Sequence, residues 1–117
     1  MANTVTDVST GPSDFFAGAV SILSLSPAAD AILKGIDIDV NGFTNGAVLT
    51  AVVTKRVGST DTARVETIRF VKDAGNTRWS IIDAITPIKG VATSFSITLQ
   101  SSIVGDTAVT VPVTYYQ

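Results

Sequence analysis

Turn residues punctuate this chain at intervals of roughly ten residues, and short runs rich in valine, isoleucine, threonine and phenylalanine fill the gaps. Runs of that length are too short for stable helices but suit strands, so the rhythm predicts an all-β sandwich or barrel. Strands are expected over 4–8, 15–25, 36–40, 47–57, 63–72, 78–82, 94–99 and 107–116. The punctuation is Ser9-Thr10-Gly11-Pro12-Ser13, Asn41-Gly42, Asn45-Gly46, Gly58-Ser59-Thr60-Asp61, Asp73-Ala74-Gly75-Asn76 and Gly105-Asp106. Asn-Gly pairs tolerate the positive φ that tight turns demand.

Individual segments add detail. Ile36, Ile38 and Val40 alternate with Asp37 and Asp39, the pattern of a half-buried strand. The run 15–25 is apolar on both faces, which suits a central strand or one covered by a partner. Pro112 removes a ladder donor and predicts an edge strand or a bulge. One segment reads as a helix: Ser26 can cap, Pro27 suits the first turn, Asp30 and Lys34 match the dipole, and Gly35 suits the stop. The expected fold is therefore all-β, a β-sandwich or flattened barrel of jelly-roll or Greek-key type, with one short helix. Residues 1–117 form a single domain without repeats or linkers.

Composition narrows the chemistry. The chain has no cysteine, no histidine and a single glutamate, Glu66. Histidine is the usual proton shuttle near neutral pH, and with cysteine it supplies most nucleophile and metal chemistry. Aspartates that could pair for acid–base work sit mostly at turns, where backbone geometry already favours them. No phosphate loop, nucleophile elbow or Ser-Lys signature occurs. The expectation is no enzyme activity, no catalytic residues, no cofactor and no small-molecule substrate. With net charge −2 and acidic and basic residues interleaved between Lys55 and Arg78, no cation cluster points to nucleic acid. The start MANTVTDVST lacks a basic region before an apolar run, so no secretory signal is expected. The longest apolar stretch, 15–25, is too short to span a bilayer as a helix, so no membrane partner is expected. Charged residues make up 15%, against about 25% in an average domain. The surface must then be built from Ser, Thr, Ala and Val, which suits coverage by neighbouring subunits.

Three groups stand out as candidate contacts. Asp37-Ile38-Asp39-Val40-Asn41-Gly42 matches the first half of a calcium loop, but the twelfth position, where a bidentate glutamate belongs, is Val48. The commoner reading is a strand running into an Asn-Gly turn. Trp79 lies within a strand and suits the core better than a glycan platform. Tyr115 and Tyr116 point to opposite faces, which leaves one exposed. Phe15 and Phe16, after the Gly11-Pro12 turn, and Tyr116 at the C-terminal edge are the expected partner contacts.

From Leu49 onward a further likeness emerges. The strand Thr50-Ala51-Val52-Val53-Thr54-Lys55-Arg56 leads through a turn to the charged strand Arg64-Val65-Glu66-Thr67-Ile68-Arg69-Phe70-Val71-Lys72. Ser94-Phe95-Ser96-Ile97-Thr98-Leu99 and a Thr/Val-rich last strand follow. This order resembles small β-sandwich domains of tailed-bacteriophage virion proteins, the modules used for capsid decoration (cement) and in tail fibres. The resemblance covers a little over half the chain and rests on strand rhythm. It implies a non-enzymatic virion structural protein, foremost a capsid decoration subunit and a homo-oligomer contacting the major capsid protein or other virion proteins. The alternative it implies is a tail-fibre or receptor-binding module that contacts a host glycan or protein.

Overall fold

Every strand pairs with its mirror image along the chain. In the computed structural model, which describes residues 5–25, 31–56, 64–81, 86–88 and 94–117, ten strands follow in order. They are β1 Val5–Ser9, β2 Val20–Leu25, β3 Ala31–Leu33, β4 Gly35–Asp39, β5 Val48–Arg56, β6 Arg64–Val71, β7 Arg78–Ile81, β8 Thr86–Ile88, β9 Ser94–Ser101 and β10 Pro112–Tyr116. β1 pairs with β10, β2 with β9, β3 with β8, β4 with β7 and β5 with β6, all antiparallel. The chain is thus one long hairpin. Rolled up, it gains two further pairings, β10 with β4 and β9 with β5. The result is two four-stranded sheets, β1-β10-β4-β7 (sheet 1) and β2-β9-β5-β6 (sheet 2), with a small β3-β8 pair. That strand order is a jelly roll: two interlocked Greek keys facing each other across one core.

Alternation decides which side chains meet between the sheets. Ile36, Ile38 and Val113 from sheet 1, with Val111 just before β10, share one core with Leu49, Ala51, Val53, Phe95, Ile97 and Leu99 from sheet 2, all fully or almost fully buried. Phe70 on β6 and Trp79 on β7 stack with ring centroids 5.1 Å apart and close one long side of the sandwich. The connections 10–19, 40–47, 72–77 and 102–111 gather at one end, because β1 and β4 finish where β7 and β10 begin. Among the described residues no helix is long and apolar enough to cross a membrane.

Several sequence expectations change here. The helix over 26–35 is replaced at 31–33 by strand β3, and Gly35 opens β4, while 26–30 lie outside the described residues. A two-turn helix is marginal alone, whereas β8 offers Ala31–Leu33 a ladder and the Lys34 N–H donates to the Tyr116 carbonyl at 2.7 Å. The strand over 15–25 begins only at Val20, since the Asp14 carboxylate accepts the Phe16 and Ala17 N–H groups and holds a turn. β2 is a rim strand, and a β-bulge between Ser21 and Leu23 explains its two-faced apolarity. The extra residue, Ile22, lets both Ile22 and Leu23 bury, and leaves Ser21 and Ser24 exposed. β10 is central rather than an edge. Pro112 is tolerated as its first residue, before the pairing with β4 starts at Val113. Of the two Asn-Gly turns, Gly46 takes the positive φ, 91°. Gly42 instead permits close approach, since a Cβ there would sit 3.1 Å from the Val109 side chain.

Candidate functional site

The loop-bearing end is held by buried polar groups. Asp106 is 2% exposed and its carboxylate accepts three hydrogen bonds. Ser101 Oγ donates at 2.5 Å, Thr44 Oγ1 at 2.8 Å and the Thr44 N–H at 3.0 Å. Its backbone carbonyl also accepts the Phe15 N–H at 3.0 Å. Lys72, likewise buried, donates through Nζ to Asn45 Oδ1 at 2.5 Å. No buried side-chain nitrogen or oxygen among the described residues lacks a hydrogen-bond partner, and the Thr44–Asp106 bonds tie loops 40–47 and 102–111 together. Sequence reasoning read Asp106 as a turn residue, because nothing in the chain order brings Thr44 beside it.

Phe15 is fully buried against Phe43, the rings edge-to-face with centroids 5.1 Å apart. It belongs to the core and offers no surface to a partner. Phe16 is half-buried on the rim of the same end. Tyr116 lies at the far end of β10, so the fold does not bring Phe16 and Tyr116 together.

On the outer face of sheet 1, Asp7, Thr114, Asp37 and Ser80 stand in one cross-strand row. Thr114 Oγ1 donates to Asp7 at 2.5 Å, Ser80 Oγ to Asp37 Oδ1 at 2.5 Å, and the Tyr116 hydroxyl to Asp37 Oδ2 at 2.8 Å. The Ser80 and Tyr116 hydroxyls, assisted by Arg78, hold the Asp37 carboxyl below its usual range. The same bond raises the Tyr116 phenol, because the neutral hydroxyl is the donor. This network pins the end of β10 across β4 to β7. The calcium-loop pattern is otherwise engaged: Asp37 serves this network and Asp39 Oδ1 accepts the Asn41 N–H at 3.0 Å. Among the described residues no group of three or more acidic side chains could hold a metal.

The outer face of sheet 2 is different in kind. Ser21 and Ser24 on β2, Ser96, Thr98 and Gln100 on β9, Val48, Thr50, Val52 and Thr54 on β5, and Val65, Thr67, Arg69 and Val71 on β6 face outward, half-buried or exposed. Thr50 stands between Arg69 and Gln100, and Val52 between Thr67 and Thr98. The face carries hydroxyls and methyl groups with Arg69 as its only charge among the side chains just named. Period-two alternation in 47–57 and 94–99 marks these outer positions in the sequence, but their union into one surface needs the strand order.

Trp79 is 7% exposed and stacked on Phe70, so its ring is not open to a sugar. A cleft of about 490 Å³ opens between rim strands β1 and β2, lined by Val8, Ser13, Val20, Leu23, Leu25 and Tyr115 among others. Its polar side chains are serine, threonine and tyrosine hydroxyls, with no carboxylate or amine to pair for acid–base work.

No protein-family model matches this sequence, and neither does any curated protein. Among solved structures, "Structure of infectious bursal disease virus Gx strain" aligns over 98% of this chain and 36% of that chain, at 15% identity and a TM-score of 0.47. This chain thus spans about a third of that chain's length.

Proposed function

We propose that this chain is a non-enzymatic structural subunit of a virion, and within that class a capsid decoration subunit that stabilises the shell by binding the coat protein. A jelly roll alone does not choose a function, since lectins and cupins share the architecture. The observation that carries the reading is the outer face of sheet 2. A four-stranded surface built mainly of Ser, Thr and Val loses little side-chain entropy on burial, and Arg69 is the one charge among its outward side chains that the structure describes. Strand spacing and rise give the face an area of roughly 500 Å² before side-chain relief, enough for a contact of about 1,000 Å² in total. Modest contacts repeated over a shell add up through multivalency. Phe16, whose carbonyl lies beside Gln100 at the end of β9, would supply a flanking contact, whereas Tyr116 lies on the opposite, outer face of sheet 1. The fibre alternative loses its glycan platform with the burial of Trp79.

Quantitative mass spectrometry of virus particles purified from cells that express this chain tests the proposal. A copy number approaching that of the coat subunit is expected. A few copies per particle would shift the assignment to a fibre, and absence from particles would overturn it.

A further inference from the structure

The two four-stranded sheets have four rim strands among the described residues: β1 and β7 in sheet 1, β2 and β6 in sheet 2. A rim strand exposes backbone donors and acceptors that can template pairing with another chain, and proteins blunt rims with short strands, bulges or proline. β1 and β7 have five and four residues, and β2 is broken by its bulge. β6 has none of these three protections, and charge alone guards it, through Arg64, Glu66 and Arg69. It is eight residues long, free of proline, and in unbroken register with β5 from Val71 opposite Val48 to Arg64 opposite Lys55. Among the described residues it is paired on one side only. Its outward row reads Val65, Thr67, Arg69, Val71, with the terminal valines 64% and 55% exposed.

We propose that β6 pairs antiparallel with β6 of a second copy about a two-fold axis at Ile68, joining two four-stranded sheets into one of eight strands. Such an axis keeps the two outer faces on the same side, so only residues of like orientation stand opposite each other. Centred on Ile68, it sets Val65 against Val71 of the second copy, twice by symmetry, and Thr67 against Arg69. The occupant is a second copy because the outward row is self-complementary on reversal: apolar at both ends and polar between. Closed two-fold pairs are also the commonest symmetric assembly. The two Arg69 side chains lie on a diagonal, where water and salt screen their repulsion, so added salt favours pairing. Pairing also doubles the Ser/Thr/Val face of sheet 2. The inference stands independently of the virion reading, since it concerns the isolated chain.

The absence of native cysteine makes introduced cysteines clean reporters. Facing residues of an antiparallel pair have Cα atoms about 4.5–5.5 Å apart, within disulfide reach. Positions 65 and 71 of one chain lie about 20 Å apart along the strand and cannot bridge each other. Under mild oxidation the double variant Val65→Cys/Val71→Cys is expected to give a closed covalent dimer, while each single variant remains monomeric. Val104→Cys, at a position 71% exposed in the loop after β9, gauges chance collision. A double variant that cross-links no faster than Val104→Cys overturns the pairing, and a dimer from Thr67→Cys alone overturns the register. A readout without cysteines comes from light scattering. The native mass is expected to rise above 12.1 kDa with concentration and salt, and Val65→Lys to hold it there. A native mass fixed at 12.1 kDa overturns the proposal as well.

Discussion

Replacing Asp106 by alanine should be among the most damaging single changes at the loop-bearing end. The carboxylate is 2% exposed and accepts from Ser101 Oγ, Thr44 Oγ1 and the Thr44 N–H. Removing it strands the Ser101 hydroxyl, itself only 4% exposed, with an unmet donor. An unsatisfied buried hydroxyl costs about 1–3 kcal/mol. Thr44 is exposed, so its two donors recover water, and each loses only the net worth of its bond, about 0.5–1.5 kcal/mol. The sum is about 4 kcal/mol, a large share of the ~5–15 kcal/mol that holds a domain folded. Asp106→Asn retains one acceptor and the shape, and should cost about 1–2 kcal/mol. Urea unfolding measures both: at a slope of about 2 kcal/mol per molar, the alanine variant's midpoint falls by about 2 M with the slope unchanged. An alanine variant within about 0.5 kcal/mol of the native chain would refute the reasoning, because that is the scale of an unremarkable surface change.

Other consequences can be measured on the same purified chain. Phe15→Ala should cost about 3–5 kcal/mol because the ring is fully enclosed against Phe43, whereas Phe16→Asp, on the rim, should stay within about 1 kcal/mol; matching melting curves for the two variants would contradict the placement. The Asp37 carboxyl titrates lower folded than unfolded, so the folded chain binds fewer protons. Its contribution is present above the unfolded carboxylate range and disappears as pH falls through the folded value. Tyr116→Phe removes a donor, so the Asp37 titration followed by NMR should move upward and the acid-side loss of stability should shrink. A Tyr116→Phe titration superimposable on the native one would show that the bond across β10 and β4 is absent in solution.

Local physics made most of the strands readable. Ile36, Ile38 and Val40 alternate so regularly that β4 could lie only half-buried, and the turns at Asp73 and Asn45 set the ends of β6 and β5. What failed to read was long-range. Ala31–Leu33 carries a respectable helix signal, and only β8, far along the chain, makes it a strand. The apolar run before Leu25 contains no mark of a bulge, since consecutive buried residues look the same as a strand covered on both faces. The candidate surface shows the same division. Each outward Ser, Thr or Val could be assigned by parity, yet the juxtaposition of Thr98, Val52 and Thr67 in one row exists only once β9, β5 and β6 are neighbours. Asp106 is similar, for its partners Thr44 and Ser101 meet it only through the folded ends of three strands.

The central claim is that the outer face of sheet 2 is the surface that binds the shell. Val52→Lys/Thr98→Lys places two charges at its centre, where both native side chains point outward and half-buried. The decisive measurement is the copy number of this variant in particles assembled in competition with the native chain, taken beside the melting temperatures of both. The account predicts a folded variant, melting close to the native chain, that is all but excluded from particles. Incorporation at parity by a folded variant would contradict it.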